Sequence, residues 1–583
     1  MEKLDRKNIE NIMSLTSLQQ IMLFNYIKDE ESEECHEQLS LTISGDIKVD
    51  IFQKSWDFVV ENNEMMRTVF RWKGIDKPVQ IVKKSHGVTI QYFDFTDELE
   101  KGKMVEEVKL KDFSTRIDIS KETLRVYLCK LENYKYEMII TNHHILYDGW
   151  SNGLILKELF EAYTCFYHGD RPKALTKTKF GEFVNYTLNL NGNDQKEYWN
   201  NYFNESDNAR CCFEGKTKGE YKEIIYKLDN ENSHKIEEFA KRNRISLAAL
   251  LYSAWGVLMQ KFSNSHEVIF GTTVSGRTDK IRDIDNMVGL FINIIPMTLK
   301  SEDKILLMDL VRNVDEVLSR RKDFENTPLI DIKENCGLKT NEDLFNSVVT
   351  IENYPLNISK NNILSIEKFS MIERNNYNIS LQILTFDGIE FKFDFNSLVV
   401  EEAIVDKFTK YLENIMICLI DNKDIRVSEI GLLSEEEKSQ ILYEFNNTKA
   451  DYPNDKTIQK LFEEQVEKTP DRIAVVFEEK KLTYRELNEK ANRLAWTLRE
   501  KGAKPETIVA IMVERSVEMI VGVLAIIKSG AAYMPIDPNL PQDRVSYILQ
   551  KSDANILVTE SEFINNVDSN YEVIDINEDI VYS

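Results

Sequence analysis

Apolar side chains recur along the chain with two periods. Leu39, Leu41 and Ile43 alternate with polar residues and run into Gly45-Asp46, which predicts a half-buried strand closed by a turn. Phe52, Trp56, Val59 and Val60 recur at helical spacing, and Leu18, Ile21, Met22 and Phe24 mark the apolar side of a short helix within 8–27. Residues 67–72 and 79–82 read as strands. Leu124, Val126 and Leu128 alternate ahead of a turn at Glu132-Asn133, and a second strand follows from Tyr136. Ile155, Leu159, Ala162 and Tyr163 share one face of a helix over 151–167. To about residue 175 the pattern is that of a mixed α/β lobe.

Pro172 and the polar stretch to about 180 read as a crossover. A second lobe opens with helices, among them 245–262 with Leu247, Leu250, Leu251, Ala254, Leu258 and Met259 on one side. Strands are expected at 268–273, 291–297, 347–351, 380–385 and 389–393, and a helix over 402–420 closes the lobe. Residues 421–455 are polar and read as a linker with one short helix over 434–445. From Thr457 onward, strands at 473–477 and 508–512 are interleaved with helices at 461–468, 483–501 and 516–528, the pattern of a parallel sheet with crossovers. The predicted division is 1–175, 176–425, a linker 426–455, and 456–583.

Composition narrows this picture. A chain of 583 residues exceeds one ordinary core, so two to four domains are expected. With 42% hydrophobic and 30% charged residues it reads as a soluble globular protein. A net charge of −24 argues against nucleic acid as the main partner, because phosphate binding needs a basic face. The seven cysteines form no C-x-x-C pair, so neither a zinc site nor a disulfide framework is indicated, and a reducing, cytoplasmic compartment fits. Residues 1–11 are polar, without the apolar core of a signal peptide. The longest clean apolar run, 519–527, is about half of the roughly 20 residues a membrane span needs, so no membrane segment is expected.

The stretch His143-His144-Ile145-Leu146-Tyr147-Asp148-Gly149 carries the candidate chemistry. It lies between a predicted strand and a predicted helix, where side chains are presented at the mouth of a cleft. Imidazole titrates near neutrality and can take a proton from an attacking amine, hydroxyl or thiol. Asp148 either orients an imidazole or holds the turn through an arginine. Gly149 relieves the turning backbone, and its N–H is a candidate donor to a developing oxyanion. A lone histidine here would read as a core residue, whereas two with Asp-Gly at this spacing favour chemistry. Asp148 is the only carboxylate nearby in sequence and no third nitrogen or sulfur ligand is evident, so no metal is expected.

These residues resemble the condensation domain of nonribosomal peptide synthetases, whose active-site motif is His-His-x-x-x-Asp-Gly. Further matches follow in the family's order. Leu15-Thr16-Ser17-Leu18-Gln19-Gln20 with Met22-Leu23-Phe24 looks like the opening motif, and Glu64-Met65-Met66-Arg67-Thr68-Val69-Phe70 like the second. Residues 180–186 resemble the motif after the active site, and Met287-Val288-Gly289-Leu290-Phe291-Ile292-Asn293 a fifth. Leu344-Phe345-Asn346-Ser347 with Glu352-Asn353-Tyr354-Pro355 is similar to a late one. The resemblance covers about residues 8–440. Departures fall at Asn62-Asn63, where arginine and histidine are common, at Tyr147, where serine is frequent, and in the late motif, which lacks its usual arginines. They bear on subtype and substrate more than on activity.

The resemblance implies an α/β (α+β) fold, two-lobed and chloramphenicol-acetyltransferase-like, in a V shape. It makes His144 the principal catalytic residue, with His143 and Gly149 supporting. It makes Asp148 mainly structural and paired with Arg67. Trp150, Ser151 and Asn293 become candidates to line the substrate tunnel. The implied reaction is peptide-bond formation between a donor acyl or peptidyl thioester and the amine of an acceptor aminoacyl thioester. Both would arrive on the 4'-phosphopantetheine of carrier proteins, an upstream donor and a downstream acceptor, alongside other synthetase modules of an antibiotic-type pathway. No cofactor is expected to bind the chain directly. With the condensation unit starting close to Met1, the donor is expected from a separate upstream protein.

Gly271-Thr272-Thr273-Val274-Ser275-Gly276-Arg277-Thr278 nearly fits a phosphate loop, but arginine stands where lysine belongs and no helix clearly follows. It also resembles a structural loop of condensation domains, the preferred reading, so no nucleotide site is expected there. Leu482-Thr483-Tyr484-Arg485-Glu486-Leu487 and Lys528-Ser529-Gly530-Ala531-Ala532-Tyr533-Met534-Pro535-Ile536-Asp537-Pro538 resemble the first two core motifs of an adenylation domain. No Ser/Thr/Gly-rich phosphate loop follows Asp537, so residues 456–583 read as an incomplete N-terminal part without ATP chemistry, its sheet left with an open edge. Two other readings remain: a non-catalytic scaffold or docking fragment, and a related acyltransferase using coenzyme A, against which the adenylation-like continuation argues. An epimerising or cyclising relative fits less well. Trp150-Ser151 favours condensation, Cys35-His36 is not a second histidine pair, and the histidines are not replaced by aspartates.

Overall fold

The computed structural model describes residues 6–582 except 30–34, 175, 205–208, 210, 214, 216–218, 303, 339–341, 353–362, 374–376, 565–566 and 568–569. Asn353-Tyr354-Pro355 of the late motif lies outside the described residues. The chain divides into two compact units, Met1–Lys438 and Ser439–Ser583.

Two main sheets build the first unit. One has five strands in the order Ser365–Glu373, His36–Ser44, Lys135–His143, Leu124–Glu132, Ile90–Asp94. All neighbours in it are antiparallel except the last pair. The helices Val49–Asn62 and Gly149–Tyr167 share one core with this sheet, Phe52, Trp56, Val59, Ile155 and Leu159 meeting Leu41, Ile43, Val126, Leu128, Met138 and Ile140. The predicted alternation and the predicted helical stripes are thus the two sides of this core. A small sheet of Ile9–Ser14, Val79–Lys83 and Thr68–Arg71 also belongs to the first unit.

The other main sheet has six strands in the order Asn293–Lys300, Glu267–Val274, Ser347–Glu352, Ile379–Leu384, Glu390–Asn396, Tyr221–Lys227. Ser347–Glu352 runs parallel to both neighbours and the remaining pairs are antiparallel. Its core takes in the helices Leu247–Ser263, Leu307–Arg321 and Glu402–Asp421, with Trp255, Phe393 and Phe408 at its centre.

The two halves of the first unit are not separate in sequence as the cut at 175/176 implies. Ser365–Glu373, deep in the second half, pairs with His36–Ser44 of the first sheet. Phe180, Phe183, Met287, Val288, Leu290, Phe291 and Leu364 pack into the first core. The strand Ser365–Glu373 escapes a reading of the pattern because a register shift between Ile366 and Lys368 breaks its alternation. Both returning segments bring residues to the histidine turn.

The second unit has a parallel sheet in the order Ala532–Pro535, Ile508–Met512, Ile556–Thr559, Glu572–Asp575, and an antiparallel hairpin of Ile473–Phe477 and Lys480–Thr483. Thr483 caps the helix Tyr484–Glu500 in a capping box with Glu486. Leu494, Leu498, Val509, Ile511, Ala525 and Ile526 form its core.

Candidate active site

Lys135–His143 is an almost wholly buried strand, and its end delivers the histidine pair to a turn closed by the helix Gly149–Tyr167. The His144 N–H donates to the Cys35 carbonyl at 2.7 Å, tying the turn to the neighbouring strand. His144 Nδ1 lies 2.8 Å from the Tyr147 carbonyl oxygen. A carbonyl can only accept, so this contact puts the proton on Nδ1 and leaves Nε2 with its lone pair. Only 7% of His144 is exposed, so a base at Nε2 works largely out of water.

His143 faces the other way. Its Nδ1 accepts the Ile145 N–H at 3.2 Å, and its ring meets Tyr26 and His36 edge-on at 5.5 and 5.9 Å. Burial, aided by His36, His144 and Arg116, holds it well below the ordinary range, so it stays neutral and shapes the turn.

Asp148 is the N-cap of the following helix, its Oδ1 accepting the Ser151 N–H at 3.1 Å and the Ser151 hydroxyl at 2.8 Å. Its Oδ2 accepts the Phe291 N–H at 3.1 Å. Ser151 Oγ accepts the Gly289 N–H at 3.1 Å, and the Asp148 N–H donates to the Gly289 carbonyl at 3.1 Å. Arg277 completes this bracket, with Nη2 3.1 Å from Asp148 Oδ1. Its Nη1 donates to the Ile284 and Met287 carbonyls at 2.5 and 3.0 Å, and its guanidinium stacks over Phe291 at 4.1 Å.

The expected partner of Asp148, Arg67, is elsewhere. It pairs with Glu10 at 2.7 Å and donates to the Val60 carbonyl at 3.2 Å and to the Lys83 carbonyl. Arg67 belongs to a short 3-10 turn feeding the small sheet, whereas Arg277 follows a strand of the second sheet that ends beside the turn. The near-phosphate-loop stretch is therefore a structural loop whose arginine braces the site. Gly276 there has φ +62°, and a Cβ would lie 1.9 Å from the Phe291 carbonyl oxygen, so only glycine fits.

Two glutamates missed in the sequence stand at His144. Glu37 Oε2 is 3.9 Å from Nδ1, and Glu373 Oε1 is 3.5 Å from Nε2. Glu37 is 1% exposed and accepts N–H groups from Asn142 at 3.3 Å and Asn152 at 2.7 Å. Burial pushes the Glu37 carboxyl up, Glu373 adds to this, and His144 and the two amides oppose it. For His144, burial is the largest influence and acts downward, but Glu37, Glu373 and the Tyr147 carbonyl outweigh it, leaving the imidazole above its ordinary 6.5. Glu37 had a signal: it shares the strand face of Leu39, Leu41 and Ile43, where a carboxylate is out of place.

The four remaining candidates are placed differently. Gly149 is the first residue of the helix, where main-chain N–H groups have no intrahelical acceptor. Ser151 was expected in the tunnel, but it is fully buried and its hydroxyl belongs to the Asp148 bracket. Asn293 spends both amide hydrogens on the Glu325 and Thr327 carbonyls at 2.8 and 2.7 Å, so it anchors a loop. Trp150 is half-buried, its indole N–H donating to the Asp285 carbonyl at 3.0 Å. Among the described residues, no group of three His, Cys, Asp or Glu side chains is arranged to hold a metal ion. No single described helix is long and apolar enough to cross a membrane.

The family model "Condensation domain" matches residues 9–442, and "AMP-binding enzyme" matches 462–581. Tyrocidine synthase 2 of Brevibacillus parabrevis is 32% identical over 602 aligned residues, covering 100% of this chain and 16% of that protein. Gramicidin S synthase 2 of Brevibacillus brevis is 32% identical over 564, covering 94% of this chain and 13% of that protein. The chain thus spans about a sixth or less of the length of these relatives. A four-domain nonribosomal peptide synthetase bound to AMP and glycine superposes with TM-score 0.78 at 17% identity, covering 98% of this chain and 45% of that one. The first condensation domain of the calcium-dependent antibiotic synthetase gives 0.63 at 15% identity, covering 73% of this chain and 100% of that one. At these identities the structural likeness speaks for the fold.

Proposed function

The chain belongs to the condensation-domain family of nonribosomal peptide synthetases, and on that premise we propose that its first unit forms an amide bond between two carrier-bound thioesters. The observation that carries the proposal is the fixed tautomer of His144. With Nδ1 spent on the Tyr147 carbonyl, Nε2 is left to act on a nucleophile.

The acceptor amine nitrogen attacks the donor's thioester carbonyl carbon, a C–N bond forms and the C–S bond breaks. The proton lost by the nitrogen passes to His144 Nε2 and on to the departing thiolate, so the products are an amide and a free thiol. Holding two tethered reactants in register is expected to supply much of the rate. Asp148, Arg277, Ser151 and Gly289 keep the turn in shape. His143 and Gly149 support the same turn.

The partners on this reading are an upstream donor and a downstream acceptor carrier protein, each bearing 4'-phosphopantetheine, within an assembly of synthetase modules. None of the seven cysteines is in a disulfide, which suits a reducing compartment, and the chain is assigned to the cytoplasm. The proposal rests on the first unit alone. It is tested by supplying the purified chain with one carrier loaded as donor and one loaded with an aminoacyl group, then weighing the acceptor carrier. A dipeptidyl thioester on the acceptor supports the reading. No product with any pairing overturns it and leaves the scaffold role.

A further inference from the structure

Glu37 and Glu373 are directly opposite partners on neighbouring antiparallel strands. Like charges in that relation are destabilising, and more so where water is excluded, unless a cation or a proton lies between them. The imidazole of His144 is the cation-forming group that both face, at 3.9 and 3.5 Å. The two carboxylates are not equivalent. Glu37 is enclosed and occupied by Asn142 and Asn152, whereas the Glu373 side chain keeps 23% of its exposure. Gln382 donates to Glu373 Oε2 at 3.1 Å, which leaves Oε1 turned toward Nε2.

Nε2 and Oε1 are 3.5 Å apart, and a nitrogen about 2.9 Å from each would complete a triangle with both. The neighbouring cation is already engaged: Lys392 donates to the Met371 carbonyl at 3.0 Å and to Glu223 at 2.8 Å. His143, Tyr147 and Asp148, the other titratable groups of the turn, are enclosed in their own contacts.

We propose that Glu373 receives the acceptor substrate as its ammonium ion and holds that nitrogen against His144 Nε2. This rests on the amide-forming reading above and adds to it a group that selects a cationic nucleophile and takes its first proton. An ammonium must lose one proton before it can attack. Glu373 Oε1 accepts that proton and, being half-buried, returns it to water. The second proton leaves through His144 to the thiolate, so each amide formed releases one proton to solvent and one to the thiol.

The experiment measures binding, not turnover. Two probes are used, alanyl and propionyl groups joined to pantetheine through an amide in place of the thioester, differing only in the α-ammonium. Titrated into the full chain near pH 7, the alanyl probe is expected to bind about tenfold more tightly than the propionyl probe, as a charge-assisted contact predicts. Glu373→Gln is expected to abolish that preference while the propionyl affinity stays as in wild type, which also reports an intact site. Equal binding of the two probes to wild type overturns the inference, as does a preference that survives in Glu373→Gln or a variant that loses both probes. Failure of wild type to bind either probe overturns the amide-forming reading itself, and the inference with it.

Discussion

Arg277 grips Asp148 from 129 residues further along the chain, Nη2 lying 3.1 Å from Oδ1. Both side chains are almost wholly out of water. This pair fixes the start of the helix that follows the histidine turn, and with it the direction in which His144 points.

Asp148→Ala would leave a buried guanidinium without its counter-charge and remove the helix cap. The expected loss is about 3–5 kcal/mol of unfolding free energy, read from urea denaturation. A variant as stable as wild type yet inactive would contradict the structural role.

Which arginine matters is decided by coupling. Arg277→Ala combined with Asp148→Ala is expected to cost less than the two separate losses added together, by about 0.5–3 kcal/mol, because each removes the same interaction. Arg67→Ala combined with Asp148→Ala is expected to be additive, since Arg67 is bound to Glu10. The reverse pattern in the two double-mutant cycles would restore Arg67 as the partner.

Gly289 takes part in the bracket through its main chain and has no room for more. A Cβ there would lie 2.5 Å from the Phe180 ring and 3.1 Å from Phe291. Gly289→Ala is expected to cost about 1–3 kcal/mol and to lower the condensation rate by displacing Asp148. Unchanged stability and rate would show that the bracket tolerates movement.

The pH dependence of kcat/KM follows from the two glutamates. In the proposed role His144 acts as a base when neutral, and its pKa stands above 6.5, so the rate is expected to fall as pH drops through a value above 6.5. Removing one carboxylate charge with Glu37→Gln weakens the support for the imidazolium, so the acid limb is expected to move to lower pH. Stability runs the opposite way: the contribution of charged His144 is full below 6.5 and is lost as pH rises through its raised value. An acid limb that does not move in Glu37→Gln would exclude the coupling.

The histidine turn was legible because its parts are contiguous: a strand, two histidines, an aspartate at the helix cap and a glycine. The brace was not, because its arginine lies in a distant loop whose glycines read as a failed phosphate loop. The resemblance pointed to Arg67, and only the fold separates the two arginines. Glu37 was open to discovery, since its place on the face of Leu39 and Leu41 is an anomaly of the alternating pattern. Glu373 sits on the same face as Phe369 and Met371, but the register shift before Lys368 hides the strand. The helices with clear stripes, 245–262 and 402–420, were foreseen to within a few residues of Leu247–Ser263 and Glu402–Asp421.

The most direct test of the account is a single-turnover measurement of amide formation between two loaded carriers by wild type and His144→Ala. The unfolding midpoint of the variant is checked in parallel. The account predicts a loss of about 10²–10⁴-fold in rate with the midpoint preserved, the range for removal of a positioned general base. A rate equal to wild type in a folded His144→Ala chain would contradict it.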